Sequence, residues 1–516
     1  FADDMSRQAL AQRSRLIAMD ATATPSPGPV KLDDATIRTI VIGVLLAMLL
    51  AALDQTIVAT ALPTIGRDLG DLQNIAWVVT AYLLSSTAVT PLYGKVSDIY
   101  GRRTTLLTAI TIFMIGSVAC ALAPTMLTLI IARFLQGLGG GGLISLAHTI
   151  IGDAMSPKER ARYMGYFGAV FALSSVAGPV LGGVLSQLWH WSLIFWINIP
   201  LGAMAFAMTA SALRKLPRYE RPHKIDVIGA LLLVAAAVLL LLALSWGGVT
   251  YAWSSGTILG IFGASAVAWV LFVARLLTAP EPFLPLGVLR DRVVAFATLA
   301  GFFGIGTMVS LSIYLPLFFQ SVLHLSAGAS GVALIPMSIG TVIGAQTSGR
   351  VMARVASYKR LPIAGLIISA LTTAALALFA DRLSLVPLEI LLAIIGLGLG
   401  SLFPVTIVAV QSAVAPHHMG SATATVNFMR ALGSAILVAA FGAVFLAGVD
   451  RLASAGGTSV EEKVAKATEA GISLGGAFSG VFAAAAVGIV IALIFFTLME
   501  ERPIRGHGPA PTSVEH

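Results

Sequence analysis

The chain has 516 residues, of which 57% are hydrophobic and 11% charged. A soluble domain carries about 25% charged and about 45–50% apolar residues, so this composition excludes a disordered chain or a string of water-soluble domains, and Cys120 as the single cysteine excludes a disulfide scaffold. The net charge of +8 sits in short basic tracts between apolar segments, a pattern that orients a membrane protein rather than one that grips nucleic acid.

About 20 apolar residues carry a helix across the hydrocarbon core, where every backbone group must be satisfied internally. Measured by that length, the chain offers fourteen spans. They lie near 38–63, 75–96, 104–123, 126–151, 163–188, 190–212, 226–246, 256–277, 293–320, 326–349, 359–380, 384–410, 417–446 and 473–498. The expected fold is all-α and integral to the membrane. Residues 1–35, polar and basic with Pro25 and Pro27, read as a disordered cytoplasmic tail. A six-helix bundle over 36–213, a basic loop with two inserted helices over 214–290, and a second six-helix bundle over 291–500 follow. Residues 501–516 form the other tail. Within 447–472, Glu461, Glu462, Lys463, Lys466 and Glu469 suggest a short surface helix in an outer loop.

With the N-terminus inside, only Arg67, Arg382, Arg451, Lys463 and Lys466 of the 32 basic residues fall in outer loops. Arg133 and Arg430 fall inside spans, and the rest lie in inner loops and tails. This asymmetry places both termini in the cytoplasm.

The division into halves rests on an internal repeat. Gly94-Lys95-Val96 is matched by Gly349-Arg350-Val351, and Met164-Gly165 with Gly178 is matched at the same offset by Met419-Gly420 with Gly433. A looser echo joins Gly137, Gly139 and Gly141 to Gly396, Gly398 and Gly400. Two facing helix bundles describe a rocking transporter with its substrate site between them near midplane.

Few residues carry chemistry. Of the 24 acidic residues, only Asp54 and Glu389 lie well inside spans. Asp54 is roughly nine residues, or about 13 Å, from the outer end of the first span. A carboxylate at that depth costs about 2.5–3.5 kcal/mol on insertion scales. It reads as a proton or substrate carrier, with a structural packing role as the alternative. Glu389, near the outer end of its span, is the second candidate. Arg133, at a depth similar to that of Asp54, shares a helix face with Gln136 and Gly137. It needs acceptors such as an amide or a carboxylate, and it stands ready to modulate proton release from Asp54.

The segment Gly94 to Arg103, with Asp98, Gly101 and Arg102, reads as a tight inner loop acting as a latch, with Asp153 and Arg160 as its expected partners. Gly178-Pro179 and Gly182-Gly183 permit a kink and close packing, expected against the opposite half. In the later spans, Asn427 and Arg430 share a face, and an arginine inside the membrane suggests function. His148 reads as a hydrogen-bonded packing residue. Phe, Trp and Met side chains are expected to line an adaptable cavity.

Other chemistries fail on context. Gly137 to Gly142 satisfies G-x-G-x-x-G, but inside an apolar helix with no preceding strand. Gly471-Ile472-Ser473-Leu474-Gly475 satisfies G-x-S-x-G without a strand–turn–helix around it. There is no phosphate-binding G-x-x-x-x-G-K-[ST] sequence and no metal-spaced Cys/His cluster, so neither a cofactor nor a metal is expected. An intramembrane enzyme would need a nucleophile and base that are not evident.

Taken together, these tracts resemble the major facilitator superfamily, specifically its fourteen-helix drug:proton antiporter branch. Leu53-Asp54-Gln55-Thr56 through Leu62-Pro63 looks like that branch's first-helix signature, and Gly94–Arg103 like the superfamily's inner-loop motif, with Ile99 where an arginine usually follows the aspartate. Arg133–Gly141 resembles the fourth-helix motif, Gly178–Gly183 the antiporter motif, and Trp191, Phe195 and Asn198-Ile199-Pro200 the sixth-helix ending. The resemblance implies a monomeric inner-membrane transporter that exports lipophilic, often cationic compounds in exchange for protons, and it gives Asp54 and Arg133 candidate coupling roles. Export of one endogenous solute or lipid, and proton symport for import, are the alternatives.

Overall fold

A computed structural model describes residues 33–71, 74–215, 226–248, 251–279, 288, 290–355, 357–453 and 474–502. The expected surface helix within 447–472, most of the basic loop and most of both tails lie outside the described residues. In chain order the long helices are α1 (Asp34–Asp68), α2 (Ala76–Tyr100), α3 (Arg102–Ala121), α4 (Met126–Ala154) and α5 (Pro157–Leu188). A single turn, Leu193–Trp196, leads into α6 (Asn198–Ala212), followed by α7 (Val227–Trp246) and α8 (Gly256–Thr278). The remainder are α9 (Arg292–Ser321), α10 (Ile335–Arg354), α11 (Arg360–Phe379), α12 (Leu385–Ala413), α13 (Met419–Ala453) and α14 (Gly475–Leu498). The described residues form no strand beyond one isolated bridge between Gly247 and Tyr251.

Among the described residues, 13 helices are long and apolar enough to cross a membrane. The expected span at 75–96 falls on α2, which has 25 residues but is diluted by Thr80, Ser85, Ser86, Thr87 and Thr90. Helix starts follow local chemistry. Asp33 caps α1, Thr125 and Thr128 form a capping box on α4, and Ser156 and Glu159 form another on α5.

The expected loop at Gly94–Arg103 is corrected. Helix α2 continues through Tyr100, so Lys95 and Asp98 are helical. The turn into α3 is made at Gly101, whose φ of 87° suits glycine.

Helix pairing repeats with a shift of eight helices. In the first six, α1 packs on α4, α5 and α6, α4 also on α2 and α3, and α3 on α6. In the last six, α9 packs on α12, α13 and α14, α12 also on α10 and α11, and α11 on α14. The two sets meet through two related crossings, α2 on α13 and α5 on α10. Helices α7 and α8 pair with each other, and α7 leans on α2 and α13. Trp77 meets Trp246 edge-on there at 5.5 Å, and Arg275 of α8 bonds Asp226, the N-cap of α7, at 3.0 Å.

Glycine sets the spacing in both halves. Added methyl groups at Gly137 and Gly141 would run into Tyr82, Ser85 and Ser86 of α2, and one at Gly139 into Ala109 and Phe113 of α3. The echo is close: Gly396 and Gly400 abut Met337 and Thr341 of α10, and Gly398 abuts Gly365 of α11. Without hydrophobic driving force in lipid, such close backbone approach is what holds helices together. We therefore expect Gly141→Ala and Gly400→Ala each to lower stability by about 1–3 kcal/mol, as overpacking does. Gly260→Ala in α8, where nothing lies within 4 Å, should leave the melting temperature in detergent unchanged. Equal melting temperatures for all three variants would contradict this packing.

Candidate functional site

Five of the first six helices converge on Asp54. Its side chain is fully buried, as are Gln136, Asn198 and Ser117, and Arg133 is 1% exposed. Arg133 NH1 donates to Asp54 Oδ2 at 2.6 Å and to Gln136 Oε1 at 2.6 Å, and its Nε donates to Val78 O of α2 at 3.0 Å. Gln136 Nε2 donates to Asp54 Oδ1 at 2.8 Å and to Ser117 Oγ of α3 at 2.8 Å. Asn198 Nδ2, from the start of α6, donates to the same Asp54 Oδ1 at 3.2 Å. The guanidinium also lies over the Tyr82 ring, 4.4 Å from its centroid. The expected face of Arg133 and Gln136 is thus turned onto Asp54, while Ser117 and Tyr82 are partners that motif reading missed, and Asn198, quoted there only in the sixth-helix ending, was not paired with Asp54. Asn198 had a signal, an amide in an apolar run. A serine or tyrosine in a span has none.

Asp54 is linked mechanically to α5. Thr56, two residues on, donates to Ser174 O at 2.8 Å. Gly178 packs against Thr56 and Ile57, and Gly182 against Ile57 and Thr60. The expectation that these glycines face the opposite half is corrected, because the cleft they open is filled by α1 of the same half. Nothing lies within 4 Å of a Cβ at Gly183, and Pro179 remains inside α5.

A second polar cluster lies at the end of the molecule bearing Gly101. Arg102 bonds Asp98 Oδ1 at 2.5 Å and Asp153 Oδ2 at 2.6 Å. Asp98 also accepts from Gly420 N at 3.0 Å, Ser421 N at 2.8 Å and Ser421 Oγ at 2.6 Å. A carboxylate therefore caps the positive N-terminal end of α13 from across the crossing. Arg160, expected beside Asp98, instead reaches Gln411 Oε1 of α12 at 3.0 Å and Gly152 O at 2.5 Å. Arg103 Nε donates to Ala210 O at the end of α6, 2.9 Å away. The repeated sequence tracts prove to be the crossings: Gly94 abuts Gly420, and Gly349 abuts Ala161 at the start of α5.

The later candidates do not join either cluster. Glu389 is half-buried near the start of α12 and makes no ion pair among the described residues. Arg430 is 4% exposed and donates through NH2 to Thr406 Oγ1 at 2.5 Å and Phe403 O at 3.2 Å. Its Nε and NH1, and Nδ2 of Asn427 one turn before it, have no partner among the described residues. His148 bonds Ile144 O at 2.8 Å through Nδ1 and stacks on Phe167 at 4.5 Å.

The model of the Major Facilitator Superfamily matches residues 44–438. The chain is 38% identical over 412 residues to multidrug resistance protein 3 of Bacillus subtilis, covering 80% of each chain. It is 37% identical over 413 residues to the multidrug transporter MdtP of the same organism, covering 79% of this chain and 75% of that one. Among solved structures, the proton:xylose symporter XylE superimposes with a TM-score of 0.60 at 14% identity, over 92% of this chain and 98% of that one. That last likeness is one of fold.

Removing one partner of a buried ion pair strands the other charge, at a cost of about 3–5 kcal/mol. Arg133→Leu is accordingly expected to lower stability by about that amount, and Asp54→Asn added to Arg133→Leu to recover most of it. Additive losses in this double-mutant cycle, read by thermal denaturation, would mean that the pair is not coupled.

Proposed function

The chain belongs to the major facilitator superfamily, and we propose that it is a proton-coupled efflux antiporter of the fourteen-helix drug:proton branch, with α2 as its fourteenth span. On this reading it exports lipophilic small molecules, often cationic, by alternating access. It works as a monomer in the cytoplasmic membrane with both termini inside. Residues 36–213 and 291–500 act as the two bundles that rock against each other. The efflux reading draws support from the names of the two Bacillus relatives.

The observation that carries the coupling is the fully buried Asp54 held by Arg133 at 2.6 Å. Arg133 supplies its countercharge, and Gln136 and Asn198 both donate to its Oδ1. A proton arriving at Asp54 cancels its charge, weakens the bonds from Gln136 and Asn198, and leaves Arg133 to Gln136 Oε1 and Val78 O. Helix α1 is then held less firmly to α4 and α6. Because α1 carries α5 through Thr56, Gly178 and Gly182, and α5 crosses α10, the protonation state of one group biases the contact between halves. Asp98 acts as the latch that keeps the Gly101 end shut, with Arg102, itself anchored by Asp153, holding it and Arg160 adding a second tie to Gln411. Opening that end breaks the bonds to Gly420 and Ser421. Glu389 is a reserve proton site on the outer side.

The test is ethidium transport by purified protein in proteoliposomes under an imposed pH gradient. The wild type should transport ethidium against its gradient, and Asp54→Asn, eluting as a folded protein, should fall to the rate of protein-free vesicles. Undiminished gradient-driven transport in Asp54→Asn would move coupling elsewhere, with Glu389 next to be tested. Absence of ethidium transport by the wild type would contradict the multidrug reading and favour a narrow endogenous substrate.

A further inference from the structure

The two intramembrane arginines are treated differently by the fold. Arg133 meets a carboxylate, an amide and a carbonyl. Arg430 is nearly as buried, yet among the described residues no carboxylate reaches it, and its Nε and NH1 are unpartnered. An unpaired cation inside a membrane is costly. It is not a by-product of the repeat, because the residue at the matching place in α5 is Ser175, which bonds its own helix at Phe171 O.

The surroundings of Arg430 have a definite chemistry. Its guanidinium lies over the Phe403 ring, 4.5 Å from the centroid. Phe403 is also approached by His148 of α4 at 5.7 Å and by Phe171 of α5 at 6.5 Å. Phe167 backs His148 at 4.5 Å. Aromatic groups from α4 and α5 therefore face an arginine on α13 across the junction between halves. On α13 the buried side-chain nitrogens without a partner among the described residues are Arg430 Nε and NH1, with Asn427 Nδ2 on the same helix face. His148 Nδ1 must carry its proton to donate to Ile144 O, which leaves Nε2, unpartnered and buried, as an acceptor in the neutral ring. On α9, Gly301 packs closely beside Arg430, since a Cβ there would stand 3.2 Å from Nε, which leaves NH1 as the guanidinium nitrogen for a ligand.

We propose that Arg430 and Asn427 form an anion-binding subsite between the halves, and that the protein takes amphipathic aromatic carboxylates. The carboxylate oxygens accept from Arg430 and Asn427, and the ring lies among Phe167, Phe171 and Phe403. This deepens the efflux reading and rests on it for the direction of movement, but binding itself does not require coupling. Asp54, the carboxylate buried among the first six helices, already has Arg133, Gln136 and Asn198 as donors. Opening at the Gly101 end would draw α4 and α5 away from Phe403 and Arg430, so the subsite is dismantled by the motion that exposes it.

The experiment is equilibrium binding of naphthalene-2-carboxylate and of its neutral primary amide to the full chain in detergent, followed by tryptophan fluorescence. A charge-assisted bond predicts that the wild type prefers the carboxylate by about tenfold or more. Arg430→Gln should abolish that preference, and Arg430→Lys should restore part of it. Because Arg430→Gln removes an unpaired buried charge, its melting temperature should equal or exceed that of the wild type. Equal binding of acid and amide by the wild type, or a preference that survives in Arg430→Gln, would overturn the proposal. So would a large fall in the melting temperature of Arg430→Gln, which would make the arginine structural. Naphthalene-2-carboxylate binding to Asp54→Asn separates the two readings: a preserved preference alongside lost proton-driven transport supports both, whereas lost preference in the wild type with intact proton-driven ethidium transport removes this inference alone.

Discussion

A carboxylate held away from water inside a membrane needs a cation and hydrogen-bond donors in fixed positions, and the first six helices are arranged to meet that need at Asp54. Arg133 supplies the charge, Gln136 and Asn198 supply donors, and Ser117 accepts the second proton of both amides. These groups come from α1, α3, α4 and α6, so each helix is oriented by a polar contact as well as by packing. The glycines of α4 are the condition for this geometry. Only with α2 and α3 lying close against α4 can side chains as short as Ser117 reach the centre.

The same close packing connects the centre to the periphery. Thr56 and the glycines of α5 tie the helix bearing Asp54 to the helix that crosses to α10, and Asp98 ties α2 to the start of α13. The two crossings are related by the repeat, but their chemistry differs. The α2–α13 crossing carries a carboxylate at a helix N-terminus. In the α5–α10 crossing the place matching Asp98 is Ala353, and the start of α5 is capped by its own Ser156 and Glu159. A symmetric scaffold thus carries an asymmetric set of charges, with the satisfied arginine in the first half and the open one in the second.

How much of this was legible in the sequence depends on the range of the interaction. Apolar length is local, so spans were readable from it, including the one at 75–96 on α2, whose diluting hydroxyl groups bond back to its own carbonyls, as Ser85 Oγ does to Ala81 O at 2.9 Å. The depth of Asp54 and Arg133 was readable by counting residues, and their pairing follows from the cost of leaving either alone. The repeated Gly94 and Gly349 tracts were visible, but that they mark the crossings was not. Partners separated by long stretches of chain were hidden: Asp98 with Ser421, Arg160 with Gln411, Gly178 with Thr56. Nothing in one segment encodes which distant segment fills its groove. That Arg430 meets no carboxylate among the described residues belongs to the same class, since it depends on what every neighbouring helix does not offer.

The central claim is that Asp54 exchanges a proton as the protein binds its cargo. Its most direct test is proton release from purified protein in weakly buffered detergent, recorded with a pH-sensitive dye when ethidium is added at saturating concentration. Release by the wild type is expected, and none from Asp54→Asn that still binds ethidium. Equal release from both proteins would contradict it.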